Sequence, residues 1–513
     1  MATANNSGSI ARFSDWSIVT EPERQDQAEN GGDVEIEFKL ELDAEDYDAL
    51  GTSRALDGIA AHDRDLFAIY FDTADQHLRA AGASLRVRRT GNRHVQTIKA
   101  NASSAAGMFA RSEWECDVAG PVPELGADSP LRTLVSDDVL GNLAPVFTVA
   151  VRRRQWLVER DDATIELVAD TGAVSAADRR ASVSEIELEL KRGRPAALFE
   201  LARDLGHDIP LRVGVLTKAE RGYRLVEAVD ALPGKAERLA LSTEATAGEA
   251  FASIVDTCIR QFRLNEDLLR LEPQADALHQ ARVALRRLRS ALSLFKPILA
   301  DAQFEHLAGE LRWLARSLGD ARDLDVLLKR LGGEADEAAI AAHRAAYAAA
   351  FAALNSQRAR DLMMNMVEWA ALGDWRKRPL EPDLVNGRAE AFAAHLLERL
   401  RRRLKRRGRN LADLDDEERH RVRIVVKKLR YAAGFFETLY TGAEPRKRFK
   451  SFLKRMEALQ DHLGELNDLA TAPALVARVG LNMGADPPVG RRESLLADAA
   501  EAYQKLIEAK RFW

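Results

Sequence analysis

Near residue 230 the chain changes its hydrophobic period, and no single layer of secondary structure can take in both halves. Between 33 and 225 the clearest segments alternate apolar and charged residues: Val34-Glu35-Ile36-Glu37-Phe38-Lys39-Leu40, Ser84-Leu85-Arg86-Val87-Arg88 and Ser184-Glu185-Ile186-Glu187-Leu188-Glu189-Leu190. A period of two puts apolar side chains on one face of a strand and charged ones on the other. Less regular strands are expected over 66–72, 94–100, 111–118, 148–158 and 163–170, with short helices over 43–50 and 195–205. About eight strands, separated by turn signals, predict a closed antiparallel eight-stranded β-barrel. From 246 onward the composition turns to Ala, Leu, Glu and Arg at helical spacing, with breaks expected near Pro273, Pro297, Gly332-Gly333, Pro379 to Pro382, Gly442 to Pro445 and Pro487-Pro488.

The expected fold class is therefore multidomain α+β. A disordered polar leader (1–32) precedes a barrel (33–225), a linker (226–245, with Pro233-Gly234) and an all-α bundle (246–513). Charge divides in the same way. Up to Ala240 there are 29 Lys+Arg against 41 Asp+Glu, a net of −12, and beyond it 46 against 39, a net of +7. An acidic half joined to a basic half implies two electrostatic tasks, the second involving an anion. Cys116 and Cys258 are the only cysteines, which excludes a disulfide framework and a cysteine zinc site. No apolar run reaches membrane-spanning length and the first residues lack an apolar signal core, so a cytoplasmic protein is expected. Phosphate-binding GxxxxGK[ST], dinucleotide GxGxxG, HExxH and Ser/His/Asp arrangements are all missing.

The helical half repeats itself. His279, Arg282, Arg286, Arg287, Leu288 and Arg289 recur as His420, Arg423, Lys427, Lys428, Leu429 and Arg430. Further on, Leu318-Gly319-Asp320-Ala321-Arg322-Asp323-Leu324 recurs as Leu463-Gly464-Glu465-Leu466-Asn467-Asp468-Leu469. Two anchors at matched spacing predict two copies packed with pseudo-twofold symmetry.

In the first half, Glu35, Glu37 and Lys39 share one strand face, and Glu185, Glu187 and Glu189 share another. Asp170 lies near the end of the strand before the latter, and Arg86, Arg88, Lys99, Arg153 and Lys218 supply cations. A sheet with one solvated face would show the same alternation. The separation of acidic from basic strands favours the other reading, in which the charged faces point inward. Crowded carboxylates must then hold protons or share a metal, and hard oxygen donors suit Mg²⁺ or Mn²⁺. The cations would neutralise a polyanion, with Arg gripping phosphate bidentately.

At these residues the chain resembles the CYTH domain, the triphosphate tunnel metalloenzyme family. Glu35-x-Glu37-x-Lys39 looks like its ExExK signature. It is followed in order by Leu85-Arg86-Val87-Arg88, Thr97-Ile98-Lys99, Arg111-x-Glu113-x-Glu115, Arg153-x-x-Trp156, Asp170-x-Gly172, Glu185-Ile186-Glu187 and Thr217-Lys218-Ala219-Glu220-Arg221-Gly222. The resemblance implies an eight-stranded tunnel that hydrolyses inorganic triphosphate or a similar short chain, with Glu35, Glu37 and Lys39 as its catalytic signature. It also implies a divalent metal, Mg²⁺ or Mn²⁺, on Glu35, Glu37, Asp170, Glu185 and Glu187, with Glu113 as an additional ligand. Triphosphate would be held by Lys39, Arg86, Arg88, Lys99, Arg153 and Lys218. Adenylate cyclisation, known in the same family, is the rival activity.

On a helix, offsets of 0, 3, 7 and 10 fall within about 80° of arc. His279, Arg282, Arg286 and Arg289 thus form one basic stripe, and His420, Arg423, Lys427 and Arg430 a second. Eight further cations crowd 399–409. These residues resemble the CHAD domain over roughly 246–510, which implies binding of inorganic polyphosphate and association with polyphosphate granules. A non-catalytic polyphosphate-binding protein is the non-enzymatic alternative. Nucleic acid is disfavoured as the polyanion, because no aromatic residues interleave the stripes to stack bases.

Overall fold

The computed structural model describes residues 33–105, 107–331, 337–377, 379, 381–478 and 490–513. The leader expected over 1–32, and the breaks at Gly332-Gly333 and Pro487-Pro488, lie outside the described residues. The described residues form two compact units, one within 1–233 together with 357–373 and the other within 234–356 together with 374–513.

In the first unit nine strands form one antiparallel sheet: β1 (Asp33–Glu41), β2 (His62–Asp72), β3 (Ser84–Thr90), β4 (Arg93–Ala105), β5 (Met108–Val118), β6 (Ala144–Arg160), β7 (Ala163–Ala176), β8 (Arg179–Gly193) and β9 (Arg212–Val213). The order is β5-β4-β3-β2-β6-β7-β8-β1-β9, and β1 also pairs with β5. Eight strands were expected. The ninth is the two-residue β9, too short to carry a period, which extends the sheet through Leu40 and Glu41. The helix expected over 43–50 is instead a series of short 3₁₀ turns.

Over residues 36–40 both faces of β1 are buried. Phe38 and Leu40 are fully inaccessible, yet Glu37 is only 3% exposed and Lys39 only 1%. The charged face is thus not the solvated side of a half-open sheet. On the apolar side, α1 (Ala196–Asp208) buries Leu198, Leu201, Ala202 and Leu205 at helical spacing, and its Phe199 meets Phe38 at 4.5 Å between ring centroids. α2 (Lys218–Val226) starts in a capping box between Thr217 and Glu220, which satisfies two otherwise orphan backbone donors. It packs so closely on β6 that a Cβ at Gly222 would lie 2.2 Å from Phe147. Tyr223 from this helix joins Tyr70, Phe147, Val149, Val151, Val174 and Val183 in an apolar cluster, and its hydroxyl donates to the buried Asp72 carboxylate at 2.7 Å.

The second unit is helical: α3 (Ala247–Leu271), α4 (Ala275–Leu299), α5 (Phe304–Ser317), α6 (Gly319–Leu331), α7 (Glu337–Leu354), α9 (Ala389–Arg407), α10 (Asp416–Phe435), α11 (Ala443–Arg478) and α12 (Arg491–Ile507). Between α7 and α9 the chain forms α8 (Gln357–Leu372), which belongs to the first unit. There it lies against α1, β4 and β9, with Arg203 of α1 donating to Asn365 at 2.9 Å and ion-paired to Glu368. The expected boundaries at 226–245 therefore miss a segment that returns to the first unit from beyond the linker. The break expected near Pro297 falls where α4 ends, with the proline itself in the last turn of that helix. The repeat maps onto α4 and α10. Its second signature spans the break between α5 and α6 in one copy and lies inside the uninterrupted α11 in the other.

Candidate active site and polyanion site

Strand register brings the acidic residues of the first unit together. β1, β8 and β7 run side by side, with Lys39 opposite Glu187, Glu41 opposite Glu185, and Glu185 opposite Asp170. Asp170, Glu185 and Glu187 offer carboxylate oxygens within 4.8 Å of one another. Three cations are set among them. Lys39 lies 2.9 Å from Glu185 and also contacts Glu187. Lys218, at the first turn of α2, reaches Asp170 at 2.7 Å and Glu187 at 3.1 Å and contacts Glu185. Arg153, on β6 opposite Asp170, grips that carboxylate bidentately at 2.8 and 2.6 Å. Gly214 makes room for this packing, because a Cβ there would lie 2.7 Å from Lys39 Cγ.

The electrostatics follow from the geometry. Burial works to raise the pKa of Asp170, but the charges of Lys218 and Arg153 outweigh it and hold the value at about 2. Glu187 is likewise held well below its ordinary value, because Lys218, Lys39 and Arg153 overcome burial. Burial opposes the charge on Lys218, and Asp170, Glu185 and Glu187 reverse that effect and raise it. Asp170 and Glu187 are thus held ionised beside their cations in a largely buried site. The donor set fits a hard divalent cation, since it is all oxygen and the buried Oε2 of Glu185 accepts no hydrogen bond among the described residues. Arg221 Nε lies 3.8 Å from that oxygen.

A second cluster forms on β3, β4 and β5. Lys99 pairs with Glu113 at 2.7 Å, Arg86 lies 3.8 Å from Glu113, and Arg88 lies 3.4 Å from Glu115. Burial, followed by repulsion from Arg86, lowers the pKa of Arg88 to about 10. The sequence-predicted residues therefore separate into two groups. Lys39, Arg153 and Lys218 surround the acid triad, while Arg86, Arg88 and Lys99 gather around Glu113 and Glu115. Glu113 stands with the cations and not with the triad. Glu37 is buried on the same face but lies outside the triad, and the side chain of Glu35 is outside the described part of β1. Sequence reasoning missed the ion pair of Glu41 with Arg221 next to Glu185. It also missed a further layer in which Lys191 bridges Glu166 at 2.7 Å and Glu189 at 2.6 Å. The unbroken alternation of β8 beyond Glu187 is the signal that could have found Lys191.

In the second unit the two basic stripes meet. Arg286 of α4 donates to the Tyr431 hydroxyl of α10 at 2.5 Å. Its charge bears on His279 and Arg282 of its own helix and on Arg423 and Lys427 of α10. Burial, then Arg423 and Arg286, pull the pKa of Lys427 down to about 7, against the opposing charge of Asp468. His279 is lowered by burial and by Arg322 of α6, while His420 contacts Asn467 of α11 at 2.7 Å. The outer ends of the stripes diverge, with Arg289 facing Arg312 and Arg316 and Arg430 lying 3.5 Å from Glu457. Among the described residues no helix is long and apolar enough to cross a membrane.

Known proteins match both units. An inorganic triphosphatase from Haemophilus influenzae is 30% identical over 158 residues, which is 30% of this chain and 44% of that protein, so the chain spans less than half of its length. The CHAD domain of the plant Ricinus communis is similar at 30% identity and a TM-score of 0.45, covering 54% of this chain and 97% of that structure. An adenylyl cyclase candidate from Hippeastrum, described as having a dominant triphosphatase activity, is 18% identical with a TM-score of 0.29, covering 36% and 93%. Residues 33–223 match the CYTH domain family and residues 253–477 match the CHAD domain family. The chain belongs to the proteins in which a CYTH domain is followed by a CHAD domain.

Proposed function

We propose that the first unit hydrolyses inorganic triphosphate, or a similarly short linear phosphate chain, and that the second binds polyphosphate. The observation that carries the first half is the buried triad of Asp170, Glu185 and Glu187 interleaved with Lys39, Arg153 and Lys218. The matched Haemophilus influenzae protein, named an inorganic triphosphatase, agrees with it. Pairing of β1 with β8 on one side and β5 on the other supports reading the eight longer strands as a closed tunnel. Arg86, Arg88 and Lys99 would bind the phosphate chain by exchanging their contacts with Glu113 and Glu115 for phosphate oxygens. The triad would hold a divalent ion, Mg²⁺ or Mn²⁺, which when bound supplies Lewis-acid stabilisation of phosphate charge. Water attacks a terminal phosphorus, and the arginines and lysines stabilise charge on the leaving pyrophosphate. In the second unit, convergence of both stripes at Arg286 supports one shared polyphosphate site, built by two copies related by a pseudo-twofold.

A phosphate-release panel tests the activity, using triphosphate, longer chains, ATP and thiamine triphosphate with each metal. Release from triphosphate above all others is expected. Preferential formation of cyclic AMP from ATP, or no release from any chain, would replace this reading with cyclisation or with binding alone.

A further inference from the structure

Beyond the stripes, the second unit carries a separate run of cations. α9 presents Arg399, Arg403 and Arg407 at successive i, i+4 positions, which spans about 12 Å along one helix face. All three are exposed, and among the described residues none of them forms an ion pair with an acidic side chain. They line three adjoining hollows of about 570, 520 and 210 Å³, which share Arg399, Arg403, Arg407 and Lys428 between neighbours. α10 closes one wall with Arg421 and Lys428, and α4 adds Lys296. Leu400, Ile424 and Val425 also line it, as do His395 and Glu398, the latter paired with Arg402 at 2.9 Å, and no Phe, Tyr or Trp does.

Lys428 shows that this is not an ordinary solvated face. It is half-buried and donates to Ser293 at 2.7 Å, while Arg403 and Arg399 press their charge on it. Its counterpart in the first copy, Arg287, is buried instead, donating to Gln261 at 2.8 Å and lying 5.6 Å from the Phe435 ring. The equivalent cation of the first copy is thus withdrawn into the core, where Lys428 of the second lines the groove. Like charges so placed repel one another until an anion enters.

We propose that the groove between α9, α10 and α4 is a second polyanion site, which takes the continuation of a long linear polyphosphate whose other part sits on the converged stripes. This rests on the polyphosphate reading of the second unit. Arg is suited to it because a planar guanidinium pairs with phosphate oxygens two at a time. A narrow groove without Phe, Tyr or Trp favours a bare phosphate chain over single-stranded nucleic acid, whose bases require stacking surfaces. The consequence is selectivity for length: short chains fill the stripes alone, and long chains gain the groove.

The test uses the full chain with chelator present, so that nothing is hydrolysed, and compares Arg399→Ala/Arg403→Ala/Arg407→Ala with the unaltered protein. Alanine suits exposed helix positions, and circular dichroism checks the fold. Affinity for a chain of many tens of phosphates should fall roughly tenfold or more and the salt slope should drop by about 3, while a chain of a few phosphates binds unchanged. Arg282→Ala/Arg423→Ala should weaken both chains. If long-chain affinity survives the triple substitution while short chains still bind, the groove is refuted and the stripe site stands. If the unaltered protein binds neither chain, the polyphosphate reading itself falls. If duplex DNA of equal charge binds more tightly and loses more on substitution, the groove is a nucleic-acid site and the proposal is overturned.

Discussion

Lys427 offers a direct handle on the second unit. It is packed beside Arg423 on its own helix and faces Arg286 from α4, with Asp468 of α11 as the one opposing charge. Burial and the two guanidiniums bring it to about 7, so at higher pH the free protein holds it neutral. Contact with phosphate oxygens would restore its charge, moving the pKa back toward the ordinary 10.5. Binding then takes up a proton, and affinity is greatest below about pH 7. Above that it should fall roughly tenfold per pH unit, or about 50-fold between about pH 7 and pH 9. The sign for folding is opposite. The unfolded chain binds more protons between about pH 7 and 10, so Lys427 favours folding more as pH rises. Titration calorimetry with long polyphosphate, in buffers of different ionisation enthalpy, would read both the affinity and the proton. Long chains keep terminal phosphate ionisation a minor contribution. Lys427→Arg should flatten the profile while retaining binding at low pH. A flat profile in the unaltered protein, or an equally steep one in Lys427→Arg, would refute the assignment.

Other outcomes follow for the first unit. Glu187→Gln should lower triphosphate turnover at least about 100-fold with the fold intact; near-normal turnover at saturating metal would remove Glu187 from the site. Lys218→Met leaves buried carboxylates uncompensated and should cost about 3–5 kcal/mol, partly recovered by Mg²⁺ or Mn²⁺ in a thermal melt; an unchanged melt in metal-free buffer would contradict the charge balance described above. Asp170, held near 2 from an ordinary 3.8, contributes about 2–3 kcal/mol that is complete above about pH 4 and lost as pH falls toward 2. Acid unfolding of Asp170→Asn, compared with the unaltered protein, should lack that slope.

Much of this architecture could be read from residues alone, and the exceptions share a cause. The alternation in β1 assigned Glu37 and Lys39 to one face and Phe38 to the other, which the strand preserves. Alternation cannot say which face meets water, and here neither does, because α1 covers one and the sheet's own charged residues fill the other. The triad was foreseen as residues but not as a set. Its membership depends on the register between β1, β7 and β8, and this placed Glu113 with Lys99 across β4 and β5 instead. Helical spacing likewise located both basic stripes, yet their meeting at Arg286 and Tyr431 depends on how α4 crosses α10, which no local pattern encodes. β9 and the 3₁₀ turns after β1 are too short to carry a period at all.

The return of α8 to the first unit bears on how the protein is made. Synthesis runs from the N-terminus, and domains ordinarily fold as they emerge. Here the strands are complete by residue 213, but the helix that lies on β4, β9 and α1 ends at Leu372. At about 5–20 residues per second, the ribosome needs roughly 8–30 s to supply the segment between them. During that interval the nascent sheet presents an uncovered surface while α3 to α7 emerge. A stalled or truncated product ending in the linker would keep every residue of the acid triad and lack the helix that packs on β4 and β9. Such a fragment should aggregate or recruit a chaperone more readily than the full chain.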